Sequence, residues 1–200
     1  MSISIMTCCS PADEESARRH AEMNAAKVGF LDPIIKVIPR FMSKDDFNNF
    51  FIRDMISETD SDFVMNLEPD SAIMNPFAFR DEFLAYDYIG APITKKVIKS
   101  DDDDLRVGNS GFCILSRRLL EFMHDRYKYY DRKRDGNCDI FLCLKHRNEI
   151  LNAGMSFAPY HVAERFSVEQ DEYTGQFGCH GSFFLCEKFV SLRQLLSEQE

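Results

Sequence analysis

The sequence predicts an α/β fold: a single domain over residues 1–200, with a Rossmann-like, mixed but mostly parallel sheet flanked by helices. Two observations carry this. Within the first 70 residues, short apolar runs alternate with capped amphipathic segments as strand, helix, strand, helix, strand, an order that favours parallel strands covered by helices. The 200 residues, 44% of them hydrophobic and 18 of them Phe, suffice to bury a sizeable core without disulfide support.

The elements follow in order. Residues 2–6 alternate and are apolar enough for a first strand. Ser10, Pro11, Ala12 and Asp13 read as an N-cap, a proline at the first helical position and an acid in the first turn, opening a helix to about Val28 that stops at Gly29. Residues 34–38 form a short strand between Pro33 and Pro39. Ser43, Lys44, Asp45 and Asp46 repeat the capping logic, and Phe47, Phe50, Phe51, Ile52, Met55 and Ile56 follow at helical spacing. Residues 63–67 are the third strand. Beyond it the sequence predicts a helix near 78–86, a strand at 88–90, an acidic loop at 101–104, the glycine-broken "RVGNSGFCILS" and a helix over 116–127. "DRKRDGN" reads as a polar loop, 138–148 as a helix, "FSVEQDEYTGQFGCHGSFF" as turn residues mixed with aromatics, and 186–196 as a closing helix.

The seven cysteines, Cys8, Cys9, Cys113, Cys138, Cys143, Cys179 and Cys186, are odd in number and contain no C-x-x-C pair, so they point to reduced, buried thiols and not to a disulfide framework or zinc knuckle. A net charge of −9 argues against a general nucleic-acid coat. The charge is uneven, however: residues 117–147 carry nine Lys/Arg against five Asp/Glu, a local +4 that leaves −13 elsewhere. No apolar run approaches the roughly 20 residues of a membrane span, and the start lacks the basic and apolar regions of a signal peptide. The expected setting is the cytoplasm (host cytoplasm if the protein is phage-encoded), with no membrane partner.

In "FVMNLEPDS" a strand runs into two carboxylates separated by a proline. Residues two apart in an extended chain face the same side, and Pro69 pushes Glu68 toward extended geometry, so Glu68 and Asp70 are expected to face one point beyond the carboxyl end of the strand. Two like charges so close are costly without a counterion, and a hard divalent cation with open positions for phosphate oxygens is the natural one. Proline followed by Asp is equally common turn chemistry, which leaves solvated acids as the alternative.

Together, "NLEPDSAIMNP", "YDYIGAP", "VGNSGFCILSRRLLEFM", "CDIFLC", "FAPYHVAERFSVE" and "FGCHG", in this order over residues 63–181, resemble a family of poorly characterised glycosyltransferases of the GT-A type. The resemblance implies a GT-A-like fold, with residues 1–70 as a nucleotide-sugar-binding half and 71–200 as an acceptor-binding half. It implies a D-x-D-like motif, Glu68 and Asp70, holding Mn2+ or Mg2+ on the donor diphosphate, with His180 of "FGCHG" as a further ligand. "VGNSGF" is similar to a G-N-G-G-F loop, with Ser110 in place of a glycine, so Gly108, Asn109 and Gly111 are expected to approach the donor sugar or the acceptor, with a plain hairpin turn as the alternative, and Thr7, just after the first strand, is a further expected donor contact. Asp139 follows Cys138, where the family tends to show a pair of acids, and is the expected general base. Glu169, expected at the catalytic centre, and Ser167 fall in the same late region, and one of the two is expected to orient a neighbour or bind acceptor.

The implied activity is transfer of a sugar from a nucleotide sugar, UDP-linked by expectation, to a hydroxyl acceptor. Segment 117–147 makes a hydroxymethylated DNA base one such acceptor. The competing reading is a non-catalytic interaction protein on a decayed transferase fold, motivated by the departures at Ser110 and Cys138.

Overall fold

The computed structural model describes residues 1–95 and 98–181. In chain order they form β1 (Ile3–Cys8), α1 (Glu14–Lys27), β2 (Ile34–Ile38), α2 (Lys44–Arg53), β3 (Phe63–Leu67), β4 (Ser71–Ile73), β5 (Tyr88–Gly90), β6 (Phe112–Ser116), α3 (Arg117–Arg126), α4 (Arg132–Asp135), α5 (Cys138–Ile140), α6 (Arg147–Asn152), α7 (Tyr160–Phe166), β7 (Ser167–Val168) and β8 (Gly178–His180). The main sheet has the order β2-β1-β3-β6-β5. Its first three strands are parallel, β6 is antiparallel to β3, and β5 is antiparallel to β6. The predicted mixed, mostly parallel α/β sheet is therefore the fold.

Both faces of its centre are covered, which is why β1, β3 and β6 are buried along their whole length. Ile3 and Ile5 pack on one face with Ala21 and Ala25 of α1 and Val162 and Phe166 of α7. Met6 and Cys8 pack on the other with Phe50, Phe51 and Ile52 of α2 and Leu119, Leu120 and Met123 of α3. Local chemistry sets the helix starts. The Ser43 hydroxyl accepts from the Asp46 backbone N–H (3.2 Å) and donates to the Asp46 carboxylate (2.9 Å), a reciprocal cap. At Ser10 the hydroxyl instead donates to the Asp13 carboxylate (2.7 Å), and Pro11–Asp13 form a 3-10 turn before α1 begins.

Four differences from the sequence reading have physical causes. Residues 78–86 are not one helix but two 3-10 turns, Pro76–Ala78 and Asp81–Leu84, with Arg80 extended between them. This break lets Phe79 and Phe83 both join Phe112, Phe166 and Phe177 in one aromatic cluster, with Phe83 edge-on to Phe166 at 5.3 Å and Phe79 edge-on to Phe177 at 5.4 Å. Within 138–148, α5 runs into a π-helical turn, Phe141–Lys145, closed by the His146 N–H on the Phe141 carbonyl (3.0 Å). The "DRKRDGN" loop contains α4, whose first turn is capped by the Asp131 carboxylate accepting from the Lys133 N–H (2.9 Å). Finally, β4, β8 and β7 build a second, three-stranded sheet from strands too short to show a period. The closing helix expected over 186–196 lies outside the described residues. Among the described residues no helix is long and apolar enough to cross a membrane.

Candidate active site

The two carboxylates do converge, by a route other than the one expected. Residues 68–71 are a tight turn, with the Ser71 N–H donating to the Glu68 carbonyl (2.9 Å) and Pro69 and Asp70 at its centre, so Glu68 and Asp70 meet through a turn and not through strand alternation. The Glu68 N–H donates to the Gly111 carbonyl (2.9 Å), anchoring the turn to the start of β6. The second sheet then delivers the partner. Ser71 is registered opposite His180 across β4 and β8, and the Gly181 N–H donates to the Asp70 carbonyl (2.9 Å). His180 Nε2 lies 3.3 Å from Asp70 Oδ1 and 3.7 Å from Glu68 Oε2. On the parallel side, Val168 is registered with Cys179, and carrying that register one residue on places Glu169 beside His180, with Oε1 3.3 Å from Nδ1.

Gly111 explains why the imidazole fits. A Cβ there would overlap the Nε2, Cδ2 and Cε1 atoms of His180, so the missing side chain is the space the ring occupies. The loop from 108 to 111 is otherwise held by its own polar groups. Asn109 Oδ1 accepts from the Gly111 and Phe112 N–H groups (3.0 and 3.4 Å), and Tyr88 Oη donates to the Gly108 and Asn109 carbonyls (3.1 and 2.9 Å). A Cβ on Gly108 would sit 2.9 Å from that of Cys143. The glycines expected to open the backbone to a donor thus also admit His180 and the π turn. Ser110 and Cys138, the two departures from the resembled pattern, touch each other: the Cys138 thiol lies 3.4 Å from Ser110 Oγ. Six cysteines are buried and form no disulfide among the described residues, and Cys186 lies outside them.

The electrostatics are those of a site short of cation. Burial alone would lower the His180 pKa, but the carboxylates of Asp70, Glu169 and Glu68 around the ring outweigh it and push it up to about 12. The hydrogen bond to His180, followed by its charge, holds the Asp70 carboxyl below the usual range. Asp139, at the start of α5, is raised, by burial first and then by the charges of Glu169 and Glu68, which ties it electrostatically to the same site.

Glu68, Asp70 and His180 each offer a ligand atom, and these atoms lie within 4.8 Å of one another. Two ligands about 2.1 Å from one ion and at right angles to each other are about 3 Å apart, so this set fits a Mn2+-sized cation with little movement, and the oxygen-rich donors with one imidazole suit manganese. A proton on Nε2 must leave for a metal to bind there. Because the His180 pKa is raised from 6.5 to about 12, the apo site keeps that proton through neutral pH. Mn2+ binding is therefore expected to tighten by about tenfold per pH unit between pH 6.5 and 8.5 and to release about one proton, read by calorimetry in buffers of different ionisation enthalpy. Affinity flat with pH and no proton release would show that His180 is not a ligand.

A cleft of about 270 Å³ opens beside this cluster, at the carboxyl ends of β1 and β2, lined by Cys8, Cys9, Ser10, Met42, Lys44 and Glu68 among others. That edge is where ligands bind in open α/β sheets. A larger cavity of about 700 Å³, between Arg80, Tyr160, Ser167 and Gln176, includes none of the three cluster residues. We take the smaller cleft as the site because it touches Glu68. Thr7 does not line it. It is fully buried in β1, and its hydroxyl has no hydrogen-bond partner among the described residues. Ser167 is likewise buried with an unpartnered hydroxyl among the described residues. In segment 117–147 most of the cations are paired, Arg117 with Glu121, Arg126 with Glu149, Arg132 and Lys133 with Asp45, and Arg134 with Asp135, while Lys145 donates to the Asp135 carbonyl and Arg147 lies over the Phe157 ring.

Sheet order and helical cover define a mixed α/β fold with a carboxylate turn at the strand ends. The crystal structure of "a glycosyltransferase involved in the glycosylation of the major capsid of PBCV-1" is similar to this chain, with a TM-score of 0.57 and 11% identity over 90% of this chain and 92% of that one. "A197 from STIV" is similar at a TM-score of 0.40 and 13% identity, over 74% and 78% respectively. No curated protein matches the sequence. Residues 35–180 match the family described as "Protein of unknown function (DUF5672)", and the chain belongs to that family.

Proposed function

We propose that the protein is a metal-dependent glycosyltransferase of the GT-A type, transferring a sugar from a nucleoside diphosphate, with uridine the expected nucleoside, to a hydroxyl acceptor. The observation that carries this reading is the convergence of Glu68, Asp70 and His180, with Glu68 lining the cleft. Manganese or magnesium held there would supply Lewis-acid neutralisation of the departing nucleoside diphosphate. Glu169 positions His180: its carboxylate beside Nδ1 directs Nε2 toward Glu68 and Asp70, as carboxylates behind ligating histidines do. Asp139, with its carboxyl raised toward neutrality, is the general base for the acceptor hydroxyl. The acceptor is proposed only as a hydroxyl, because most cations of the basic segment that suggested DNA pair with neighbouring carboxylates.

The test is a panel of nucleotide sugars screened by thermal shift with Mn2+ and with EDTA, followed by donor hydrolysis. At 100 times its dissociation constant a specific donor stabilises the fold by about 2.7 kcal/mol, a shift of several degrees. One donor class is expected to give that shift only with metal, and EDTA is expected to abolish hydrolysis. No shift with any nucleotide sugar, together with no Mn2+ binding, would overturn the proposal.

A further inference from the structure

The lysine that opens α2 has no local counter-ion among the described residues. Lys44 is exposed, and both acids that follow it are committed elsewhere: Asp45 to Arg132 and Lys133, and Asp46 to the Ser43 cap and the Met42 N–H. Lys44 lines the cleft together with Glu68, Pro69 and Ser10. The Lys44 ammonium and Glu68 of the candidate metal cluster thus border the same opening. The same cleft also presents Phe41, Met42 and Phe47, apolar surface suited to a nucleoside.

We infer that Lys44 is a phosphate-binding residue, a second cationic contact for the donor diphosphate alongside the Glu68–Asp70–His180 centre. The inference rests on the proposed transferase reading and names the ligand group this part of the cleft takes. As the bond from the sugar anomeric carbon to the diphosphate oxygen breaks, its electron pair stays on that oxygen. The Lys44 ammonium donates hydrogen bonds to the phosphate oxygens that take up the charge and keeps its own proton. The acceptor oxygen forms the new bond, and its proton passes to Asp139.

The test compares wild type, Lys44→Gln and Lys44→Arg, each titrated with Mn2+ alone, with UDP plus Mn2+, and with GDP plus Mn2+. Lys44 follows the capping serine and is exposed, so neither substitution removes packing. Binding of Mn2+ alone is expected to be the same in all three. Affinity for the nucleoside diphosphate with Mn2+ is expected to fall about tenfold in Lys44→Gln, as for loss of one charge-assisted phosphate contact, and to recover mostly in Lys44→Arg. The loss is expected to shrink as salt screens the contact. Equal UDP and GDP affinity in wild type and Lys44→Gln would overturn the inference and leave the transferase reading standing. A fall in Mn2+ binding itself would also overturn it, by placing the effect at the metal centre. If neither nucleotide binds wild type with Mn2+, the underlying reading fails and takes the inference with it.

Discussion

Replacing Asp70 by Asn is expected to lower metal-dependent donor turnover by about 100- to 1,000-fold, the range seen when one electrostatic contact to developing transition-state charge is removed. The substitution isolates charge from shape. Asn is a good residue for the centre of the 68–71 turn, and the backbone bond from Gly181 to the Asp70 carbonyl does not involve the side chain. What is lost is an anionic oxygen 3.3 Å from His180 Nε2, one of three ligand atoms in the cluster. Equilibrium Mn2+ binding should weaken in parallel with turnover, while the melting temperature moves by only a few degrees. Turnover within a few-fold of wild type would remove Asp70 from the metal centre.

Gly111→Ala is expected to act through His180 rather than through backbone conformation. The new methyl group would overlap the imidazole, so either the ring leaves its place between Glu68, Asp70 and Glu169 or the loop bearing Asn109 and Ser110 shifts. Overpacking of this kind costs about 1–3 kcal/mol, and displacement of Nε2 removes a metal ligand, so both stability and Mn2+ binding should fall. A double-mutant cycle separates the two effects. In a His180→Ala background the clash has no partner, and Gly111→Ala should then cost less than about 1 kcal/mol, giving strong non-additivity in denaturant melts. Additive stabilities would show that the ring and the glycine are not in contact.

Much of the fold is legible because its signals are local. The Ser43 cap, the helical spacing of Phe47, Phe50 and Phe51, and the apolar runs at 34–38 and 63–67 each depend on residues a few positions apart, and each appears where the sequence places it. The helix expected at 78–86 fails because long-range demand overrides local propensity: Phe79 and Phe83 are drawn into a ring cluster with Phe112, Phe166 and Phe177. The second sheet is invisible in sequence because strands of two or three residues carry no period and hold together only through pairing with distant partners.

The site divides along the same line. Residue chemistry names its acids in advance: a strand meeting Glu68, Pro69 and Asp70 can be read without coordinates, because proline geometry and like-charge repulsion act over three residues. The rest depends on which parts of the chain lie side by side. The β4–β8 register puts His180 next to Asp70, β7 puts Glu169 behind it, and the bare Cα of Gly111 leaves room for the ring. Linear spacing carries no trace of those neighbours, because sheet register and steric exclusion are set by contacts closed across long loops. Composition and pattern establish the layers and the acidic motif, and the assembled chain establishes that the motif faces a histidine held by a third carboxylate.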